Sequence, residues 1–322
     1  MRLLLAALLA AATLSAAVDG TVVNGTTGKP QPGATVTLFK LDQNGPNALD
    51  TIKAGRTGEF KFAQDVQGPQ LVQAVHDGMV FNHMIPPGQA ATGITVNVYN
   101  STTSDAKAKV TTHMILLEPG ASGLTVNESI IFQNTGTTAY YDTARGTLRL
   151  ALPEAAGGKA RVMVAGPNSL PIERALEPTR TAGIYTVDFP VKPGETRFDV
   201  SYALPTPNPP VFTGRIFHDG PVRVVAPRGV TLSGDVKELG AEPQTQAGIF
   251  ELTKRSFSIG FEGTGSLRSS QGGVENVEEE GGAGLQQIRP RVYLRYKEIL
   301  ALSLAVLAIG FLILYRKGAS GT

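Results

Sequence analysis

Short stretches in which apolar and polar residues alternate, each closed by a glycine- or proline-bearing turn, succeed one another along most of the chain. Ala34-Thr-Val-Thr-Leu-Phe39 and Glu59-Phe-Lys-Phe62 are clear cases. Successive side chains of an extended strand point to opposite faces, so a period of two marks a strand covered on one face only. Between Val110 and Phe261 no segment carries helical period. With 37 glycines and 21 prolines to supply the turns, the reading is an all-β chain. Its 322 residues suffice for two domains, each burying its own core.

Composition removes several function classes. The absence of cysteine excludes disulfides, thiolate metal sites, a cysteine nucleophile and lipid attachment at cysteine. Lys plus Arg is 29 against 27 Asp plus Glu, with no concentrated basic tract in the folded region, so no nucleic-acid partner is expected. The four histidines are dispersed, and no Gly-x-Ser-x-Gly, His-Glu-x-x-His or phosphate loop occurs. The expectation is a non-enzymatic protein without catalytic residues, metal or cofactor.

The two ends address the chain to a membrane. Met1-Arg2, the apolar run Leu3 to Leu14 and the small residues Ser15-Ala16-Ala17 read as a signal peptide over residues 1–17, cleaved after Ala17. Ile299 to Tyr315 is free of charge and is followed by Arg316-Lys317. At about 1.5 Å per residue it reaches roughly 26 Å, close to a bilayer's hydrocarbon thickness. It is expected to be a single transmembrane helix with a cytoplasmic tail at 316–322 and the bulk of the protein on the periplasmic or cell-surface side. The positive-inside rule taken alone argues the reverse, because Arg289, Arg291, Arg295 and Lys297 flank the span on its outer side. Export of a folded domain ahead of the span decides the orientation. With Tyr293 and Tyr296 that basic cluster is expected to lie on anionic headgroups. Residues 266–297 are expected to be a flexible stalk and basic juxtamembrane segment, disordered over the Gly- and Glu-rich run Gly263 to Gly284.

The first β-domain spans residues 18–100. Val18 to Val23, Ala34 to Phe39, Glu59 to Phe62, Leu71 to Val75, Met79 to Ile85 and Ile94 to Tyr99 are its strands. The runs Gly20-Thr-Val-Val, Thr27-Gly-Lys-Pro-Gln-Pro-Gly-Ala-Thr-Val-Thr-Leu38 and Thr57-Gly-Glu-Phe-Lys-Phe62 resemble the carboxypeptidase regulatory-like domain. The resemblance covers about a quarter of the chain and implies a transthyretin-like, carbohydrate-binding-like sandwich that acts as an accessory module, not a peptidase. Gly33 and Gly58 fit as turn residues, and Val36, Leu38, Phe60 and Phe62 as core. If Asp77-Gly78 is a two-residue hairpin turn, His76 pairs with Met79 and Val72 with His83. The two imidazoles then stand roughly 13 Å apart along the ladder, too far to share a metal.

Ser101 to Lys107 reads as a polar linker, and a second β-region follows over 108–265. Pro205 to Pro210 forms a stiff connection at a change of sheet, leaving either one large sandwich or two divided near 205. His113 reads as a strand residue and His218-Asp219-Gly220-Pro221 as a turn. Asn24, Asn100 and Asn127 head Asn-x-Ser/Thr sequons, relevant only in a glycosylating host. Tyr140-Tyr141 beside Asp142 is a candidate aromatic platform for a sugar ring. The leading expectation is a membrane-anchored extracytoplasmic protein that binds a protein partner or assembles within an envelope complex. The alternative is a carbohydrate-binding module for a polysaccharide.

Overall fold

The computed structural model describes residues 17–267, except 44, 66–67, 157–158 and 168. The signal peptide up to residue 16, the stalk from 268, the span 299–315, the tail and the cluster Arg289, Arg291, Tyr293, Arg295, Tyr296 and Lys297 lie outside the described residues. Among the described residues no helix is long and apolar enough to cross a membrane. The described chain is all-β: six sheets and one 3-10 turn at Glu154–Ala156, with no α-helix.

Buried apolar side chains form two clusters. The first lies between two sheets. In one, Ala17–Asn24 pairs antiparallel with Lys29–Pro30 and Glu59–Asp65 and parallel with Ile94–Val98. The other is antiparallel throughout, in the order Gly45–Lys53, Thr35–Asp42, Gln70–His76, Met79–Ile85. Val36, Leu38, Phe60 and Phe62 are all buried in this cluster, as their alternation predicts. Gly33 and Gly58 both hold positive φ, at 73° and 75°. At Gly58 a Cβ would also stand 2.4 Å from the Val22 carbonyl oxygen, so that turn admits no other side chain. Asp77-Gly78 makes the expected hairpin, with φ of 52° and 74° and the pairs His76↔Met79 and Val72↔His83. Asn24 is buried, and its amide donates to Gln31 and Asn100, both at 2.8 Å, so its sequon is closed by the fold.

The second cluster is built on an eight-stranded sheet. Its order is Ile172–Arg174, Arg161–Ala165, Gly194–Leu204, Gly123–Asn134, Ala108–Gly120, Val222–Ala226, Gly248–Leu252, Val236–Ala241. Only Ala108–Gly120 and Val222–Ala226 run parallel. Two three-stranded sheets supply the remaining core: Leu148–Ala151, Ile184–Val187 and Glu177–Pro178 form one, and Val211–Arg215, Ser256–Glu262 and Thr231–Gly234 the other. Pro205 to Pro210 carries the chain from the eight-stranded sheet to a three-stranded one. The large sheet and its core both draw residues from either side of that connection.

The polar segment after Asn100 is not a free linker over its whole length. Ser101–Thr102 pairs parallel with Ala139–Tyr140. Ala139 N donates to Asn100 O at 2.9 Å and Tyr141 N to Thr102 O at 2.8 Å. Thr26 Oγ1 donates to Thr137 O at 2.6 Å, and Lys192 Nζ to Val80 O at 2.6 Å while standing 4.6 Å over the Phe81 ring. Backbone donors of a polar segment have to be satisfied somewhere, and here a neighbouring strand takes them.

Candidate functional site

Three adjacent strands of the large sheet each place a polar side chain in the inward, otherwise apolar phase: His113, Glu128 and Tyr202. On the His113 strand the phase is set by a bulge between Val110 and Thr112, after which His113, Ile115 and Leu117 face the core and Met114 faces solvent. Glu128 Oε1 accepts from the Tyr202 hydroxyl at 2.8 Å, and Oε2 lies 3.0 Å from His113 Nε2. His113 Nδ1 lies 2.9 Å from His218 Nε2. Gly220 N donates to His218 Nδ1 at 3.1 Å, within a turn whose carbonyl at His218 and carboxylate at Asp219 are both held by Arg255. A Cβ on residue 220 would stand 2.3 Å from the Val110 carbonyl oxygen, so the turn seats here only with glycine.

This pattern fixes the protons. Since His218 Nδ1 accepts from a backbone N–H, its proton sits on Nε2 and is donated to His113 Nδ1. His113 then carries its own proton on Nε2 and donates to the Glu128 carboxylate. Burial, with the adjacent Glu128 carboxylate, pushes the Tyr202 pKa upward and keeps its hydroxyl a donor. Every polar atom of the array is thereby paired, and neither nitrogen of His218 retains a lone pair for a substrate. Among the described residues no hydrogen bond of either histidine goes to a Ser or Thr hydroxyl. The array can hold strands together, but it presents no activated nucleophile or general base.

His218 supplies a pH dependence. Burial first, then His113 and Arg255, push its pKa down to about 4. The unfolded chain, with an ordinary histidine pKa near 6.5, binds this proton earlier than the folded one. Stability is therefore fully present above about pH 6.5 and falls as pH drops toward 4. After allowing for the ring's partial exposure, the loss is on the order of 2 kcal/mol. Urea unfolding at pH 7 and pH 4.5 is expected to show this loss, reduced in His218→Asn, whose Oδ1 can still accept from Gly220. An equal acid loss in both proteins would assign it to other groups.

Beside the array opens a cavity of about 450 Å³, within the range of small-molecule sites. Lys109, Tyr140, Arg145, Thr147, Arg149 and His218 are among its lining residues. A smaller void of about 20 Å³, room for one water, lies against His113, Glu128 and Arg149. Arg149 stacks 4.6 Å from the centroid of Phe217, and Arg215 lies 5.2 Å from the same ring.

The sequence-predicted platform is not brought together. Tyr140 is half-buried against the second cluster and lines the cavity, whereas Tyr141 packs against the first cluster with its hydroxyl 3.3 Å from Asp188 Oδ2. The two rings therefore present no shared face. Among the described residues no group of three or more His, Cys, Asp or Glu side chains is placed to hold a metal ion. The signal for the buried array was present in the sequence: Glu128 interrupts the inward phase Leu124, Val126, Ile130, Phe132, and His113 interrupts that of Ile115 and Leu117.

A second surface stands out on the first sandwich. The outward residues of its antiparallel sheet align in rows across four strands: Lys53, Thr35, Val75, Val80; Thr51, Thr37, Gln73, Asn82; Ala48, Phe39, Leu71, Met84. One lysine is the only charge in these rows, and Val75, Val80 and Met84 are exposed. A sheet face left to water is ordinarily polar, with charges interspersed.

No protein-family model matches the chain, and no curated protein is similar to it. Among solved structures, an M1 zinc metallopeptidase from Deinococcus radiodurans is similar at 14% identity and a TM-score of 0.25, over 49% of this chain and 43% of that one. The chain thus spans less than half the length of that enzyme, and a likeness of this degree carries no argument about fold or function.

Proposed function

We propose that this chain is a non-enzymatic, membrane-anchored extracytoplasmic β-protein that binds a protein partner in the cell envelope through the outer face of its first sandwich. The observation that carries the reading is the nearly uncharged four-stranded face with Phe39, Leu71, Val75, Val80 and Met84 on it. Two apolar rows, Val75 with Val80 and Phe39 with Leu71 and Met84, flank an uncharged polar row, and exposed apolar groups on so weakly charged a face are characteristic of interaction sites. The partner is accordingly one that presents an uncharged, apolar face of its own. The resemblance of residues 18–100 to the carboxypeptidase regulatory-like domain, an accessory module, supports a binding role. So does the closed proton array of His113 and His218, which offers no reactive group. The apolar span Ile299 to Tyr315 and the signal-like N-terminus supply the localisation.

The test places a photo-crosslinker at Met84 and, as control, at the exposed Lys61 on the other sheet of the same sandwich, in the full-length protein in its native membrane. A discrete adduct at Met84 alone, lost in Val80→Glu, is expected. Val80→Glu should leave stability within about 0.5 kcal/mol, because the position is solvent-facing, and weaken binding at least about tenfold. Equal labelling at both positions would remove the reading. A glycan-array signal without any protein adduct would favour the carbohydrate-binding alternative.

A further inference from the structure

We propose that the cavity beside His218 is a binding site for a small oxyanion-bearing ligand, a carboxylate or phosphate, held by Arg149. This site lies on the second β-region and stands independently of the sheet face described above.

The charges around the cavity pair off, leaving Arg149 over. Lys109 lies 3.5 Å from Asp105, Arg145 Nε lies 2.7 Å from Asp142, and Asp219 is held by Arg255 at 2.6 Å. No side chain among the described residues forms an ion pair or hydrogen bond with the Arg149 guanidinium. Its contact is the face of Phe217, and Arg215, likewise without a carboxylate, leans on the same ring. Stacking on an aromatic face fixes the guanidinium plane and leaves the N–H donors at its edge free, in the fork geometry that matches a carboxylate or phosphate. The two cations stand no more than about 10 Å apart, within one Debye length at 0.1 M salt, so an anion held at Arg149 also feels the charge of Arg215.

Thr147 is 6% exposed and lines the cavity, but its unpaired Oγ1 is itself sealed from the open volume, so the donors a ligand can reach are those of Arg149. The ring of Phe217 and the half-buried Tyr140 give the rest of such a ligand an apolar wall.

The experiment is calorimetric titration of the full-length protein in detergent with inorganic phosphate, with glucuronate and with uncharged glucose. Saturable binding of at least one anion is expected, none with glucose, and a weakening of several-fold or more at about 0.3 M salt. Glucuronate binding without phosphate binding would identify an acidic saccharide as the source, and binding of both would identify the oxyanion itself. Arg149→Gln should weaken binding at least tenfold. Arg149→Lys keeps the charge and removes the planar fork, so a loss of several-fold there separates direct contact from diffuse attraction. Both variants should melt with the wild type in the absence of ligand, because Arg149 is exposed. Absence of saturable binding to either anion, or affinity unchanged by Arg149→Gln, would overturn the site.

Discussion

Glu128→Ala is expected to destabilise the second β-region by about 3–5 kcal/mol, the range for breaking a buried, fully hydrogen-bonded polar group. The carboxylate is the sole acceptor shared by two buried donors, the Tyr202 hydroxyl and His113 Nε2. Removing it orphans both at once, each at about 1–3 kcal/mol, and opens a void where the side chain stood. The same reasoning predicts the sign of the coupling. Tyr202→Phe alone costs stability, because it leaves Glu128 Oε1 unpaired in a buried position. Added to Glu128→Ala it should restore some, because it removes an orphaned hydroxyl. Replacing the set together (Tyr202→Phe, Glu128→Leu, His113→Leu) should recover much of the loss, since apolar side chains of similar volume often match a buried polar array. Urea unfolding monitored on the full set decides this. A triple variant as unstable as Glu128→Ala would show that the array does more than satisfy itself.

That array also marks where reading the sequence succeeded and where it stopped. Strands covered on one face declare themselves, because burial forces a period of two. Ala34 to Phe39 overlaps the strand Thr35–Asp42 from its second residue on, and Glu59 to Phe62 and Leu124 to Gln133 lie inside Glu59–Asp65 and Gly123–Asn134. Strands covered on neither face do not declare themselves. Gly45–Lys53 and Val236–Ala241 lie at sheet edges with most side chains in solvent, so no burial imposes an alternation. Short polar pairings such as Ser101–Thr102 with Ala139–Tyr140 depend on a partner nearly forty positions away and leave no local trace. Pro205 to Pro210 was legible as a change of sheet, since proline cannot donate to a ladder.

The candidate site was less legible, for a different reason. Tyr140 and Tyr141 looked like one feature because they are adjacent, yet adjacent extended residues face opposite ways, and each ring went to a different core. His113 and His218 are 105 residues apart and meet only because the Ala108–Gly120 strand runs beside Val222–Ala226 in parallel, which brings the preceding turn over the sheet. What could have been read was the anomaly: a glutamate and a histidine occupying slots that the neighbouring pattern reserves for apolar residues.

Phe62→Ala is expected to separate the unfolding of the two β-regions. Phe62 is fully buried among the largest core side chains and packs 6.0 Å from Phe60, ring to ring. Truncating a phenylalanine to alanine in such a place costs about 3–5 kcal/mol in lost transfer energy and residual cavity. In a domain of this size that lowers the melting temperature by more than about 10 °C. Whether the loss stays in the first sandwich depends on the seam. The contacts joining the regions include the Ser101–Thr102 ladder with its flanking backbone bonds, Thr26 to Thr137 and Lys192 to Val80, polar links worth about 1 kcal/mol each after solvent exchange, and the packing of Ala139 and Tyr141 on the first core. Their sum is comparable with the damage; among the described residues Ala139 and Tyr141 are those of the second region that reach the first cluster, and none of the first region enters the second cluster. The damaged sandwich should therefore melt ahead of its neighbour, giving two calorimetric transitions with the upper one near its wild-type temperature. Phe198→Ala, its counterpart in the second core, should lower the other transition instead. A single transition that moves as a whole in both variants would mean that the seam couples the cores far more strongly than its hydrogen bonds account for.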